Sequence, residues 1–122
     1  MRTTVMEVNI NKFKENIKMI KRYVGNRTIM PVIKANGYGT YINKCLDLLV
    51  DFKIVAVACV CEAIELRNLG YNGEIFVLNQ PYVEDIDNII KYDVRVGVSD
   101  INFVKELGKR KKNVKVHIEL ET

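Results

Sequence analysis

The sequence predicts an α/β fold built on a parallel sheet of about five strands. Two observations predict it: short apolar runs rich in Val, Ile and Ala alternate with amphipathic segments of about ten residues, and the apolar runs carry few polar positions. Strands buried on both faces have this composition, and helical connections of this length give right-handed crossovers between parallel neighbours. With 122 residues, of which 48% are hydrophobic and 28% charged, the chain has enough apolar side chains for one core and one domain.

The first predicted element is an amphipathic helix over residues 11–23, which follows a short alternating start over residues 3–10. Its apolar positions recur at helical spacing: Phe13, Ile17, Ile20 and Val24. Asn9 or Asn11 can cap its amino end, because an Asn side chain accepts hydrogen bonds from the free amides of a first helical turn.

Strands and helices then alternate along the chain. Strands are predicted over residues 28–35, 54–60, 74–80, 94–100 and 114–121. Helices are predicted over residues 42–52, 61–70, 83–92 and 101–110. This set fits either a doubly wound sheet of flavodoxin type or the first five strands of an eight-stranded barrel, and the number of strands does not decide between them.

The last predicted strand is apolar on one side and ionisable on the other. Its apolar side consists of Val116, Ile118 and Leu120, and its ionisable side of His117, Glu119 and Glu121. A barrel strand can turn apolar residues outward to helices and polar residues inward to a site, whereas a central strand between two helix layers tolerates no such row. An edge strand facing water explains the pattern equally well.

Composition excludes several classes of function. The net charge is +4, but the two clusters of basic residues lie on the first helix and at the carboxyl end of the helix over 101–110, without interleaved aromatic residues. No nucleic-acid partner is therefore expected. The apolar runs are far shorter than the roughly 20 residues that a bilayer requires, so no membrane association and a cytoplasmic location are expected.

The three cysteines point to a reducing compartment. Cys45, Cys59 and Cys61 are odd in number and lack the C-x-x-C spacing of zinc or redox sites. We expect them to be reduced core residues, with Cys59 and Cys61 on one face of a strand, and we expect no metal site.

The stretch "PVIKANGYGTYIN", residues 31–43, places Lys34 at the carboxyl end of the first apolar strand. Active-site residues collect at this end of the strands in both candidate folds, although a lysine here can also simply reach solvent. Gly37 and Gly39 permit close approach of the backbone to a ligand, and Tyr38 between them offers a hydroxyl or a ring. A desolvated lysine at the carboxyl end of a strand is a nucleophile that forms a Schiff base with an aldehyde, and pyridoxal phosphate is the usual aldehyde.

Four segments resemble the alanine racemase family. "VIKANGYG" resembles the family's cofactor-lysine motif V-V/I-K-A-x-A-Y-G, which is followed there by His-Gly. "EVNINKFKENI" resembles the opening strand and first helix, and "EAIELRNLGYNGEIFVLNQP" resembles E-A-x-x-L-R-x-x-G-I-x-x-P-I-L-V-L-G. "VHIELET" resembles V-H-L/I-K-I/V/M-D-T. In order and spacing the resemblance covers essentially the whole chain.

The resemblance implies the fold and the site. Residues 1–122 would form the amino-terminal part of a (β/α)8 barrel domain that binds pyridoxal phosphate, with the later barrel strands and the carboxy-terminal β domain absent. Lys34 would carry the cofactor as a Schiff base and act as one of two bases that interconvert L- and D-alanine. Tyr38, Val32 and Leu78 would contact the cofactor.

The resemblance also implies the context of the parent enzyme. That enzyme would be a homodimer that makes D-alanine for cell walls, and the second base would come from a missing domain of the partner subunit. The segment alone is expected to be inactive. A related racemase for serine or another amino acid, or a flavodoxin-like non-catalytic binding module, remains the alternative.

The chain departs from the family pattern at a few positions. Thr40 and Tyr41 stand where the family has His-Gly, and Pro31 removes a hydrogen-bond donor from the first strand. Glu119 stands where many members carry a carbamylated lysine, and we hypothesise that its carboxylate supplies the same negative charge to orient the substrate site. Glu121 replaces the usual Asp.

Overall fold

The computed structural model describes residues 4–120 and contains one sheet of four parallel strands. The strands are β1 Ile54–Val57, β2 Glu74–Val77, β3 Arg95–Val98 and β4 Val116–Ile118. The helices are α1 Ile10–Val24, α2 Lys34–Tyr38, α3 Val60–Asn68, α4 Ile86–Lys91 and α5 Ile101–Gly108. Three short 3₁₀ helices cover Ile42–Lys44, Leu46–Leu48 and Val83–Asp85.

The strand order distinguishes a barrel segment from a flavodoxin-type sheet. Strands β1 to β4 pair in the order of the sequence, and Val32 forms a parallel bridge to Ala56 on the free side of β1. A doubly wound sheet reverses its strand order at a switch point, and the described strands contain no reversal. The flavodoxin-like alternative is therefore wrong, and the α/β barrel segment is the observed architecture.

The two faces of the sheet carry different residues. One face packs against the helices in a core formed by alternate strand residues, including Val55, Ile75 and Val96, each completely buried. The opposite face has a small apolar cluster of Ile54, Ala56 and Phe76 that includes no helix. The helices of the described chain therefore cover one face, which leaves the other face as the interior side of a barrel wall.

Local sequence signals fix helices α1 and α5. The Asn9 side chain accepts a hydrogen bond from the Lys12 amide at 3.0 Å and begins α1, and Gly25, at φ 66°, ends it. The Asp100 side chain begins α5 by accepting from the Asn102 amide at 2.8 Å. Both helices lie within a few residues of their predicted bounds.

Within residues 4–120, none of the helices has the length and apolar character needed to span a bilayer.

The strand predicted over residues 28–35 is reduced to a bridge. The Ala56 amide donates to the Pro31 carbonyl and the Ile33 amide donates to the Ala56 carbonyl, each at 2.9 Å. Pairing ends there because Ile33 has left the extended region, at φ −121° and ψ 19°. About five strands are predicted, and the described residues form four strands plus this bridge. The resemblance also implies an opening strand, but residues 4–9 form none.

The helix predicted over residues 42–52 is wrong. Two 3₁₀ turns occupy this segment, divided at Cys45, whose φ of −95° and ψ of 75° lie outside the helical region. In a 3₁₀ turn, residues three apart lie above one another. The buried and half-buried residues follow that period in two rows: Ile42, Cys45 and Leu48, and Asn43, Leu46, Leu49 and Phe52. The same residues also fit a helical period, which explains the error.

The prediction for two cysteines is also wrong. Strand β1 ends at Val57, so Cys59 lies at the amino end of α3 and Cys61 lies exposed in its first turn. The two are joined by a disulfide, with their Cα atoms 5.4 Å apart, rather than reduced on one strand face. Cys45 is a half-buried free thiol.

An ionic cluster lies on the interior face near the amino ends of the strands. Glu74 accepts from the Arg95 guanidinium and from Lys115 Nζ, the latter at 2.7 Å. His117 lies 3.2 Å from Arg95 and stacks on Phe76 with ring centroids 4.2 Å apart. His117 therefore lies on the interior face, the direction that the barrel interpretation of this strand gave it. Val116 and Ile118 on the opposite side of β4 are exposed, and Glu121 lies outside the described residues.

The Glu74 carboxylate is expected to contribute less to the free energy of unfolding in acid. The hydrogen bond from Lys115, together with the charges of Arg95 and Lys115, lowers the pKa of Glu74 below its usual value of 4.5. A lowered pKa in the folded state stabilises the protein above the unfolded-state pKa, and that contribution is lost as the pH falls through the folded-state value. We expect the free energy of unfolding to fall less steeply below pH 4.5 in Glu74→Gln than in wild type, measured by urea unfolding across the acid range. Equal acid slopes would contradict this.

Candidate functional site

Lys34 lies at the carboxyl edge of the sheet, as predicted. It directly follows Ile33, the last residue bonded to β1, and its side chain is partly buried. None of the ion pairs among residues 4–120 includes Lys34. A partly buried amine without a carboxylate partner is available to react with an electrophile.

The chain after Lys34 makes a left-handed helical turn. Ala35, Asn36, Gly37 and Tyr38 all have φ between 51° and 62°. Helical hydrogen bonds close the turn, with the Gly37 amide donating to the Ile33 carbonyl and the Gly39 amide to the Ala35 carbonyl, each at 2.9 Å. Each L-residue in this conformation costs about 1–2 kcal/mol, so the non-glycine residues of the turn need support from outside it.

Gly37 is required for packing as well as for its backbone conformation. A Cβ at Gly37 would lie 2.7 Å from Ile42 Cγ2 and 3.0 Å from Thr40 Oγ1. The family motif carries Ala at this place, and in this chain the Ile42 methyl group fills the space that an Ala methyl would need.

Substitution of the two glycines separates strain from crowding. Gly39, at φ 81°, has no atom within 4 Å of the position that a methyl group would take there. We expect Gly39→Ala to lower the free energy of unfolding by about 1 kcal/mol through strain alone. Gly37→Ala is expected to lower it by about 2 kcal/mol because the methyl also collides with Ile42. Chemical denaturation of both variants measures the difference, and equal losses would show that Ile42 moves aside freely.

Glu62 is a site residue that sequence reasoning missed. It lies in the first turn of α3, and its two carboxylate oxygens accept hydrogen bonds from the Ala35 amide and the Ala58 amide, both at 2.7 Å. One carboxylate therefore joins the residue after Lys34 to the residue that follows β1. The only sequence signal for it is its place in the "EAIELRNLG" segment.

Arg67, at the other end of α3, also has no predicted role. Its guanidinium donates to four backbone carbonyls at 2.7–3.2 Å: those of Tyr71, Gly73, Tyr92 and Asp93. These carbonyls precede β2 and β3, so Arg67 holds the start of both strands. Helix α3 thus contacts the carboxyl edge of the sheet with Glu62 and its amino edge with Arg67.

Val32 and Leu78 lie on the interior face at the carboxyl edge of the sheet. Val32 pairs with Ala56, and Leu78 packs on the cluster formed by Ala56 and Phe76. Gly97 of β3 approaches closely, since a Cβ there would lie 2.9 Å from the Leu78 carbonyl oxygen. The structure therefore places two predicted apolar residues at the same edge as Lys34.

Tyr38 and Glu119 are less closely associated with Lys34. Tyr38 lies in the left-handed turn with 66% of its surface exposed. Glu119 follows β4, where its amide donates to the Val98 carbonyl at 2.9 Å, and its side chain is exposed. Four strand spacings, about 19 Å along the sheet, separate the Val32 segment from β4. The structure does not bring Glu119 into contact with Lys34.

Comparison with known proteins identifies the same family in sequence and in fold. Residues 8–122 match the family model of the alanine racemase N-terminal domain. The chain is 34% identical to alanine racemase 2 of Caldanaerobacter subterraneus over 99% of its own length and 33% of that protein. It is 34% identical to the alanine racemase of Aquifex pyrophilus over its whole length and 36% of that protein. The chain therefore spans about a third of the length of these curated relatives.

A solved structure extends the similarity to the fold. Alanine racemase of Clostridium difficile 630 superposes with a TM-score of 0.84 at 26% identity, over 95% of this chain and 33% of that one. A superposition over nearly all of this chain confirms the predicted barrel segment.

Proposed function

The chain belongs to the alanine racemase family through its amino-terminal domain, and we propose that it provides the cofactor-lysine segment of a pyridoxal-phosphate-dependent amino-acid racemase. The observation that carries the proposal is Lys34 itself, a partly buried amine without an ion-pair partner among residues 4–120, presented at the carboxyl edge of the sheet by a strained turn. Strain of this kind persists where the surrounding structure enforces it, and such positions cluster at active sites.

The residues around Lys34 fit the cofactor chemically. An aldehyde requires an amine that a neighbouring carboxylate does not hold, and the nearby Glu62 is occupied by two backbone amides. Val32 and Leu78 supply apolar surface for a pyridine ring, and the exposed Tyr38 supplies a hydroxyl at the mouth of the site. We assign these three residues to cofactor contact.

Racemisation needs a proton to leave and return at the α-carbon. Pyridoxal phosphate, when bound, withdraws electrons from that carbon and so makes its proton removable. Lys34 would attach the cofactor and then hold or move this proton as one of two bases. Glu119, which directly follows β4, would contribute a negative charge that orients the substrate.

The parent enzyme is proposed to act on alanine, in the cytoplasm, as a homodimer. The curated relatives support alanine because both are named alanine racemases. A related racemase for serine or another amino acid is the second candidate, since the described residues include no contact that selects the substrate side chain. Residues 1–122 are proposed to be part of the cofactor-binding barrel domain, with the second base contributed by a partner subunit.

Reductive labelling tests the proposal directly. The chain is incubated with pyridoxal phosphate, reduced with borohydride, digested and mapped by mass spectrometry, with the Aquifex pyrophilus relative as a positive control. We expect label on the peptide that contains Lys34, in excess over every other lysine, because a solvent-exposed lysine has no surrounding residues that hold the aldehyde beside its amine. An even distribution of label over exposed lysines would overturn the assignment.

A further inference from the structure

We propose that Glu62 is the positioning residue for Lys34, and that its carboxylate holds the left-handed turn α2 in the conformation that presents the amine. This inference rests on the proposed function of Lys34, but the contacts that support it are independent of any cofactor. The Glu62 oxygens accept from the Ala35 and Ala58 amides at 2.7 Å, a distance typical of charge-assisted hydrogen bonds.

The two bonds fix the start of the turn. Ala35 is the first residue of this turn with positive φ, at 51°, and it directly follows Lys34. Ala58 directly follows β1, the strand to which the lysine segment is bridged. A carboxylate that binds both amides therefore locks the backbone of the lysine segment to the end of its neighbouring strand, and Glu62 does so from 27 residues away in sequence.

The chemistry of this contact requires a carboxylate. Two backbone amides are two donors, and an ionised carboxyl group offers an acceptor oxygen to each. A glutamine side chain offers one oxygen and one NH₂ group, which cannot accept, so one amide would lose its partner. Glu62 also lies in the first turn of α3, where the helix dipole favours a negative charge.

The contact also explains how an acid can lie close to Lys34 without neutralising it. Both Glu62 oxygens are engaged by amides, and none of the ion pairs within residues 4–120 includes Glu62. The carboxylate thus orients the backbone next to Lys34 and leaves the amine free.

Amide hydrogen exchange and reductive labelling test this role in Glu62→Gln, with Glu65→Gln as the matched control. Glu65 lies on the same helix, and its described partner is the exposed Lys44 at 3.7 Å. We expect exchange at Ala35 or Ala58 to rise at least about tenfold in Glu62→Gln, the effect of losing one hydrogen bond to a charged group. Labelling at Lys34 should slow by about the same factor while labelling at other lysines is unchanged. Glu65→Gln should match wild type in both measurements.

The outcomes separate this inference from the proposed function. The positioning role would be overturned if the Ala35 and Ala58 amides of Glu62→Gln exchanged as slowly as in wild type. It would also be overturned if the labelling rate at Lys34 were unchanged in that variant. Absence of label on Lys34 in wild type would overturn the proposed function, whereas the exchange data would still report on the contact. If Glu62→Gln fails to fold, judged by exchange of the β2 amides, Glu62→Asp replaces it, since its shorter carboxylate reaches only one of the two amides and should expose the other.

Discussion

The Lys34→Arg variant is expected to lose covalent attachment of pyridoxal phosphate at residue 34 completely. Arginine preserves the positive charge, but its guanidinium remains protonated in proteins and cannot attack an aldehyde. Label at residue 34 should therefore fall to background after borohydride reduction, and no other lysine should gain label, because the others lack the strained turn that presents the amine. Mass spectrometry of the digested protein measures both.

Lys44→Arg is the matched control for this experiment. Lys44 lies in the 3₁₀ turn Ile42–Lys44, exposed, with its ammonium 5.4 Å from the centre of the Tyr41 ring. Labelling at Lys34 should be unaffected in this variant. A Lys34→Arg protein that retains the wild-type amount of label would mean that the cofactor attaches elsewhere.

Arg67→Ala is expected to lower the free energy of unfolding by about 4 kcal/mol, because four carbonyls lose a charged donor and some of them are left without a partner. The carbonyls lie in the loops that lead into β2 and β3, so the loss acts on two strands at once. Urea unfolding monitored by circular dichroism measures the change, with an unchanged slope indicating that only stability has altered.

Two further variants define the origin of that effect. Arg67→Lys retains the charge but replaces the planar guanidinium and its several N–H donors with a single ammonium. It should therefore recover only part of the lost free energy of unfolding. Arg110→Ala removes an exposed arginine whose described ion pair is with Asp87, and its unfolding midpoint should equal that of wild type within error. Equal midpoints for Arg67→Ala and wild type would show that water replaces the guanidinium at the carbonyls without cost.

The alternation of strands and helices could be predicted because burial repeats along the chain. β1, β2 and β3 have almost uniformly buried residues, and their Val and Ile content is the pattern that predicts them. The strands are shorter than the apolar runs because several runs continue into the loops at the carboxyl edge. Cys59, predicted to lie in a strand, is an example, since its backbone already begins α3.

The lysine segment could be predicted in position but not in shape. Pro31 and the two glycines suggest an interrupted strand and a turn, but a left-handed turn that includes Ala35, Asn36 and Tyr38 contradicts local preference. Tertiary contacts impose it. The Glu62 contact joins residues 27 apart in sequence, so no local pattern could reveal it, and only its place in the segment that resembles the family points to it.

The paired contacts of α3 have a consequence for the lengths that this chain can tolerate. Glu62 and Arg67 are five positions apart on one helix, a rise of about 7.5 Å, and each must face its own group of backbone partners. Inserting one residue between them would rotate one end relative to the other by about 100°. The number of residues between Glu62 and Arg67 is therefore fixed by the two edges of the sheet that α3 contacts, and a change in it would separate one of the two side chains from its backbone partners.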